Sequence, residues 1–369
     1  ITTLVIDKAT NDTQWFNVYS STFTVDKSSP VTGITGTEVY YKKSLTAVSG
    51  TATDVTAGVK QVELVIQDLI EPTSYWNKDS GSSGEWSGSA YWNRALTLSG
   101  TKPNYVYSST NVPVWVQDHL YLLISRGKDN AIPEQAQDVF VVDVSSSRFV
   151  YDVVRPTSVI TLPVNNSVYG GVGNELTVIS ATANDLSVNY VGGPAHSQNR
   201  VEQVYFGIRE NNTGKWWNGT SSFNANGIVW STGAFKSGSG TVWEWKNSEP
   251  SYPVFVDGKQ YVLYSRATDY AGNEEVWMSR TSTFSYDGSG PVVQVTSILD
   301  GQHRNTNPST GIVISGTAVD YIGIPANSIE YAIGEYPSGP WWTWTGSTFS
   351  AVRVNWLASN NTASGWPGG

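Results

Sequence analysis

Apolar and polar residues alternate strictly in three places along this chain: Val62, Leu64, Ile66; Val204, Phe206, Ile208; and Ile329, Tyr331, Ile333. A period of two is the mark of a β-strand with one face buried. Each run ends on an acid (Asp68, Glu210, Glu335), and Trp76, Trp217 or Trp342 follows a short way on. Clusters of Gly, Asn, Ser and Pro break the chain between such runs at short intervals, which suits antiparallel strands and hairpins. No stretch sustains the i, i+3, i+4, i+7 spacing of an amphipathic helix. The pattern predicts an all-β protein.

The runs belong to a larger repeat. An apolar residue, small residues and an aspartate recur as Val48-Ser49-Gly50-Thr51-Ala52-Thr53-Asp54, Ile179-Ser180-Ala181-Thr182-Ala183-Asn184-Asp185 and Ile314-Ser315-Gly316-Thr317-Ala318-Val319-Asp320. The segment from Tyr121 through Arg126 to Asp129 is matched by Tyr261 through Arg266 to Asp269, and an Asp stands four residues before a Pro at Asp26/Pro30, Asp152/Pro156 and Asp287/Pro291. Self-similarity of this kind signals tandem structural units. The expected boundaries are 27–152 and 153–287 for two complete repeats, with partial repeats at 1–26 and 288–369. Seven or more strands per unit point to Greek-key sandwiches of the immunoglobulin type, in which Tyr121 and Tyr261 stand where a tyrosine hydroxyl often bonds back to the chain.

Composition narrows the function. The 369 residues carry a net charge of -9, 14% charged residues, no Cys and three His. No basic run attracts nucleic acid, and no apolar run approaches a membrane-spanning helix. Disulfides and thiolate metal sites are excluded. Carboxylate pairs such as Glu244/Glu249 and Glu274/Glu275 do not repeat and stand beside no nucleophile motif, so an enzyme is not expected.

The segment Ala267-Thr268-Asp269-Tyr270-Ala271-Gly272-Asn273-Glu274 resembles a motif of bacterial immunoglobulin-like repeats, which occur in surface adhesins, biofilm proteins and other secreted multidomain chains. In the first repeat only Asp129, Ala131 and Glu134 carry the motif over. The resemblance implies a sandwich fold and a secreted or cell-surface setting, but no activity.

Asp7-Lys8-Ala9-Thr10-Asn11 and Trp15 align with Asp269-Tyr270-Ala271-Gly272-Asn273 and Trp277, and Phe23–Asp26 parallels Phe284–Asp287. Residues 1–26 therefore read as the last two strands of a repeat, and 288–369 as a repeat lacking them. Either the chain is a window on a longer repetitive one, or residues 1–26 of one copy complete 288–369 of the next, with Leu4, Ile6, Trp15 and Phe23 as the polymerising contacts. Both readings give a head-to-tail extracellular filament or stalk whose partners are copies of itself or further repeats.

Two sets of residues are candidates for chemistry. Strands B and F and the entry to strand A meet at one end of such a sandwich. Asp26, Asp54 and Asp129 should therefore crowd one junction, Asp152, Asp185 and Asp269 the next, and Asp287, Asp320 and a donated Asp7 the third. Oxygen-only carboxylate clusters suit Ca²⁺, and the competing role is an aspartate bonding its own turn backbone. The second set is Trp76, Trp216, Trp217, Trp341 and Trp342, beside Gly- and Ser-rich loops. Exposed, these rings would stack on sugars and make a carbohydrate-binding or adhesin module, the alternative reading. Otherwise they fill the core or cover lateral contacts.

Overall fold

The alternating runs form the long central strands of two sandwiches. The structure is a computed structural model that describes residues 21–36, 40–71, 74–185, 199–236, 241–277, 281–297, 300–302, 314–325, 328–332, 341–343, 348–351 and 357–358. Among the described residues there is no α-helix, and no helix is long and apolar enough to cross a membrane.

The first sandwich uses β1 (Val31–Ile34), β2 (Tyr41–Lys42), β3 (Val48–Thr53), β4 (Val59–Asp68), β5 (Ser74–Asn77), β6 (Glu85–Ser87), β7 (Asn93–Arg94), β8 (Thr97–Thr101), β9 (Asn104–Ser109), β10 (Leu120–Asp129) and β11 (Ser146–Tyr151). One sheet runs β1-β3-β9-β8; the other runs β2-β11-β10-β4-β5-β6, with β7 on β4. This is the A-B-E-D order facing an A′-G-F-C-C′ order, with β2 parallel to β11, as in an immunoglobulin sandwich.

The second sandwich repeats the plan. Its strands are β12 (Thr157–Leu162), β13 (Ser167–Tyr169), β14 (Val178–Asn184), β15 (Val201–Glu210), β16 (Trp216–Trp217), β17 (Phe223–Ala225), β18 (Ser231–Thr232), β19 (Ala234–Phe235), β20 (Val242–Lys246), β21 (Lys259–Asp269) and β22 (Thr281–Tyr286). The sheets are β12-β14-β20-β19 and β13-β22-β21-β15-β16-β17, with β18 on β15. Beyond it, Val292–Val295 pairs with Gly316–Val319, Glu330–Tyr331 with Leu357–Ala358, and Trp341–Thr343 with Thr348–Ala351, all antiparallel.

Contacts divide the chain into two compact units. The first comprises Ile1–Thr157, Asn184–Glu202 and Ala267–Glu275; the second comprises Ser158–Ala183, Gln203–Arg266 and Val276–Gly369.

The alternating residues fill the cores. Val62, Leu64 and Ile66 join Val48, Trp76, Tyr107, Tyr121 and Phe149 in one cluster, and Val204, Phe206 and Ile208 are buried likewise. The alternation is not one-sided on β4, however, because Glu63 and Val65 are buried too. Glu63 is tolerated because Arg126 (2.6 Å) and Lys128 (3.2 Å) pair with it, and Trp92 lies under the Arg126 guanidinium at 3.8 Å. A buried acid without such partners would be costly.

Both tyrosine corners form: the Val116 amide donates to the Tyr121 hydroxyl at 2.9 Å, and the Val256 amide to that of Tyr261 at 2.8 Å. Gly50 on β3 has a steric role. A Cβ there would sit 1.8 Å from the Gly33 carbonyl and 2.5 Å from the Tyr107 hydroxyl, which itself donates to Gly33 O at 3.0 Å.

Of the residues assigned to polymerisation, Leu4, Ile6 and Trp15 lie outside the described residues. Phe23 is described: residues 21–30 take no regular structure and Phe23 is exposed, whereas Phe284, its counterpart, is wholly buried on β22.

Candidate linker carboxylate sites

The chain makes its aspartate clusters by ending strands with them. Asp54 follows β3, and Asp129 closes β10 where the register against β4 shifts between Lys128 and Asp129. Such a bulge re-aims the side chain that follows it. Asp26 lies on the segment entering β1. One carboxylate oxygen from each of Asp26, Asp54 and Asp129 lies within 4.8 Å of those from the other two, and the same holds for Asp152, Asp185 and Asp269. Both sets lie within the first compact unit. The structure therefore brings together the two triads that repeat alignment nominates.

In the first triad each aspartate also serves its turn. Asp54 Oδ1 accepts the amides of Thr56 (3.0 Å) and Gly58 (2.7 Å). Asp129 Oδ1 accepts those of Ala131 (3.1 Å) and Gln135 (2.8 Å). Asp26 accepts Ser28 N and Oγ through Oδ1, and Ala57 N through Oδ2. These bonds hold the Asp26 carboxyl below the usual carboxylate range, with Ser28 the largest influence. Asp54 Oδ2 and Asp129 Oδ2 are left buried with no hydrogen-bond partner.

The second triad contains a residue that sequence reasoning missed. The Arg200 side chain, 1% exposed, sits among the carboxylates: Nη1 is 2.8 Å from Asp152 Oδ2, Nε 3.8 Å from Asp185 Oδ2, and Nη2 2.5 Å from Asp118 Oδ1. Its guanidinium also stands over the Tyr41 ring, which stacks on Tyr270. The available signal was positional. Arg200 immediately precedes the ten-residue strand β15, as Gly58 precedes the ten-residue β4.

Asn273 gives the resemblance motif a physical role. Its Nδ2 donates to the Asp152 carbonyl (3.0 Å) and to Asp269 Oδ2 (2.8 Å), and its amide donates to Asp269 Oδ1 (2.8 Å). In the first repeat Pro133 occupies the matching position and can donate nothing. Gln135 Nε2 supplies the equivalent bond instead, to the Asp26 carbonyl at 3.1 Å. The linker carbonyl is thus held in both repeats, by different residues.

Burial is the main influence raising Asp185 to about 7, with Asp152, Asp269 and Asp118 acting in the same direction and Arg200 against it. Asp269 is raised as well, chiefly by burial. The folded state therefore keeps a proton on Asp185 that the unfolded chain has released above about pH 4. Stability from this group is full below that pH, falls as pH rises towards 7, and is level above. At ~1.4 kcal/mol per unit the whole window is worth at most about 4 kcal/mol. Asp185→Asn is expected to flatten the fall in melting temperature between pH 4 and 7 and to raise it at pH 8. Thermal denaturation across that range checks this; a variant less stable than the parent at pH 8 would refute it.

At the third junction, in the second compact unit, Asp287 is raised by burial and by the nearby charges of Asp320 and Asp257. Asp257, which no repeat pattern nominates, accepts the Gly288 amide at 2.7 Å. Asp7 lies outside the described residues.

The tryptophans require a correction. Trp76 and Trp217 are 7% and 1% exposed, so neither is a platform for sugar. Their indole N–H groups donate to the carbonyls of Asn111 (3.1 Å) and Ser251 (2.9 Å), and their rings pack on Trp86 and Phe223. Adjacent residues on a strand face opposite ways, so Trp216 is the half-buried partner, lying on Tyr264 at 5.0 Å. Trp341 and Trp342 form part of a strand, and their side chains lie outside the described residues.

No family model and no curated protein matches this chain. Solved structures do. The Clostridium thermocellum CbhA fibronectin(III)-like modules match at 14% identity and a TM-score of 0.32, over 75% of this chain and 100% of theirs. The sialic acid binding region of Streptococcus Sanguinis SK1 adhesin bound to 3'sLn matches at 10% identity and a TM-score of 0.20, over 72% of this chain and 79% of its own. Likenesses this low carry no functional argument, and the assignment of tandem β-sandwiches rests on the strand order itself.

Proposed function

We propose that this chain is a non-enzymatic, extracellular structural protein, a repetitive segment of a surface stalk or filament in the manner of bacterial immunoglobulin-like repeats. The observation that carries this reading is the clamping of the chain where it leaves the first sandwich. Asp152 is wholly buried. Its carboxylate accepts Gln117 Nε2 (2.8 Å) and the Val154 amide (3.1 Å), pairs with Arg200, and its carbonyl accepts Asn273. A linker braced through both side chain and backbone resists bending and pulling, which a load-bearing repeat needs and a flexibly tethered module does not. The low share of charged residues, 14%, agrees with that role, since it suits protein packed against protein. Burial of Trp76 and Trp217 withdraws those two rings from the sugar-binding alternative.

Antibody raised against residues 153–287 should label the outside of intact source cells in linear arrays by immunogold electron microscopy. Labelling that appears only after permeabilisation would overturn the proposal.

A further inference from the structure

The two aspartate triads occupy the same place in successive repeats, yet only one contains a cation of the protein's own. We propose that the first triad, Asp26, Asp54 and Asp129, is a Ca²⁺ site, and that in the second triad Arg200 takes the place of the metal. The inference concerns the chemistry of one linker and does not depend on the stalk reading.

Three observations carry it. The first is the geometry of the donors. Carboxylate oxygens within 4.8 Å of one another fit around an ion held at 2.3–2.6 Å, since two ligands on opposite sides of such an ion stand about 4.6–5.2 Å apart. An all-oxygen, carboxylate-rich set is what Ca²⁺ takes, and the remaining places go to backbone carbonyls or water.

The second is the state of the individual atoms. Asp54 and Asp129 are 4% and 0% exposed. In each, Oδ1 is used by two backbone amides while Oδ2 is buried with no hydrogen-bond partner. Leaving a charged oxygen dry and unpaired is costly, so these two atoms call for a cation. Three lysines of this sandwich are engaged elsewhere: Lys60 and Lys128 pair with Glu134 at 2.7 and 3.4 Å, and Lys102 Nζ donates to the Thr56 carbonyl at 2.9 Å. Among the described residues no ion pair includes Asp26, Asp54 or Asp129.

The third is the internal comparison. In the second triad Asp185 Oδ2, the counterpart of Asp54 Oδ2, stands 3.8 Å from Nε of Arg200 and Asp152 Oδ2 stands 2.8 Å from its Nη1, while Asp269 Oδ2, the counterpart of Asp129 Oδ2, accepts Asn273 Nδ2 at 2.8 Å. The guanidinium fills the position that an ion would hold. In the first repeat the matching residue is Gly58, and no arginine can replace it without strain. Its φ is +77°, and a Cβ there would lie 2.6 Å from the Tyr105 hydroxyl. A left-handed backbone and a close neighbour together keep this position free of any side chain. The first repeat therefore has the same carboxylates without the arginine that faces them in the second.

Calcium titration of the full chain by isothermal calorimetry, after removal of divalent ions with chelator, tests the assignment. The parent should bind Ca²⁺ with a dissociation constant of about 0.1–1 mM, the range of extracellular modules, and should melt at a higher temperature in Ca²⁺ than in EDTA. Asp129→Asn keeps the oxygen that the turn amides use and should weaken that component at least tenfold. Asp26→Asn, on the partly exposed entry segment, should do the same and guards against a folding defect in the first variant. Asp185→Asn should leave it intact. The component is defined by its loss in Asp129→Asn, so binding elsewhere in the chain does not obscure it. A parent that takes up no Ca²⁺ to about 10 mM would overturn the proposal. So would binding that survives both first-triad variants, or binding lost only in Asp185→Asn.

Discussion

Arg200→Met is expected to be the most damaging single change in the first compact unit, costing about 3–5 kcal/mol, the usual penalty for removing one partner of a buried ion pair. Methionine fills much of the same volume, so lost packing contributes little. What remains is four acids, Asp118, Asp152, Asp185 and Asp269, around an apolar side chain with no cation. Arg200 is 1% exposed and Asp152 and Asp185 are almost fully enclosed, so water cannot stand in for the guanidinium. The double variant Arg200→Met/Asp185→Asn should recover part of the loss, because it removes one acid that the folded site must otherwise either hold ionised without a counter-charge or protonate. Chemical denaturation of the three proteins, with limited proteolysis of the linker at 153–157 as a local readout, checks both statements. A loss under about 1 kcal/mol for the single variant would mean that the guanidinium is not the counter-charge of this cluster.

The second large effect separates the core from the sugar-binding alternative. Trp217→Ala should cost about 3–5 kcal/mol, as expected for emptying a fully buried aromatic site, and should also strand the Ser251 carbonyl that now accepts its N–H. Trp216→Ala, one residue away on the opposite face, should cost about 1 kcal/mol, the scale of its ring contact with Tyr264. Thermal unfolding of the two variants gives the contrast. If instead Trp217→Ala kept its stability and abolished binding on a glycan array, the ring would be a recognition surface and not a core residue.

Much of this was legible in the residues. Strand identity followed from alternation at Val62–Ile66 and Val204–Ile208. The tyrosine corners followed from the placing of Tyr121 and Tyr261. The membership of both carboxylate triads followed from aligned repeats, because a tandem fold places aligned positions at equivalent points in space. Other features were not legible, each for a physical reason. Burial of Glu63 depends on Arg126 and Lys128 reaching across from a strand far along the chain. The exchange of Asn273 for Gln135 as the donor to the linker carbonyl conserves a bond and not a residue, so no motif records it. Trp216 and Trp217 are indistinguishable as letters, and only the direction in which the strand enters the sheet decides which ring is enclosed.

By itself the sequence determined the period of its strands, the repetition of one plan and the residue types gathered at each linker, because all three are properties of order along the chain. Only the tertiary structure decided how charge is balanced at those linkers. Balance depends on which groups lie within a few ångströms of one another, and there an arginine at position 200 and a glycine at position 58, equivalent in order, give one triad its own cation and leave the other without.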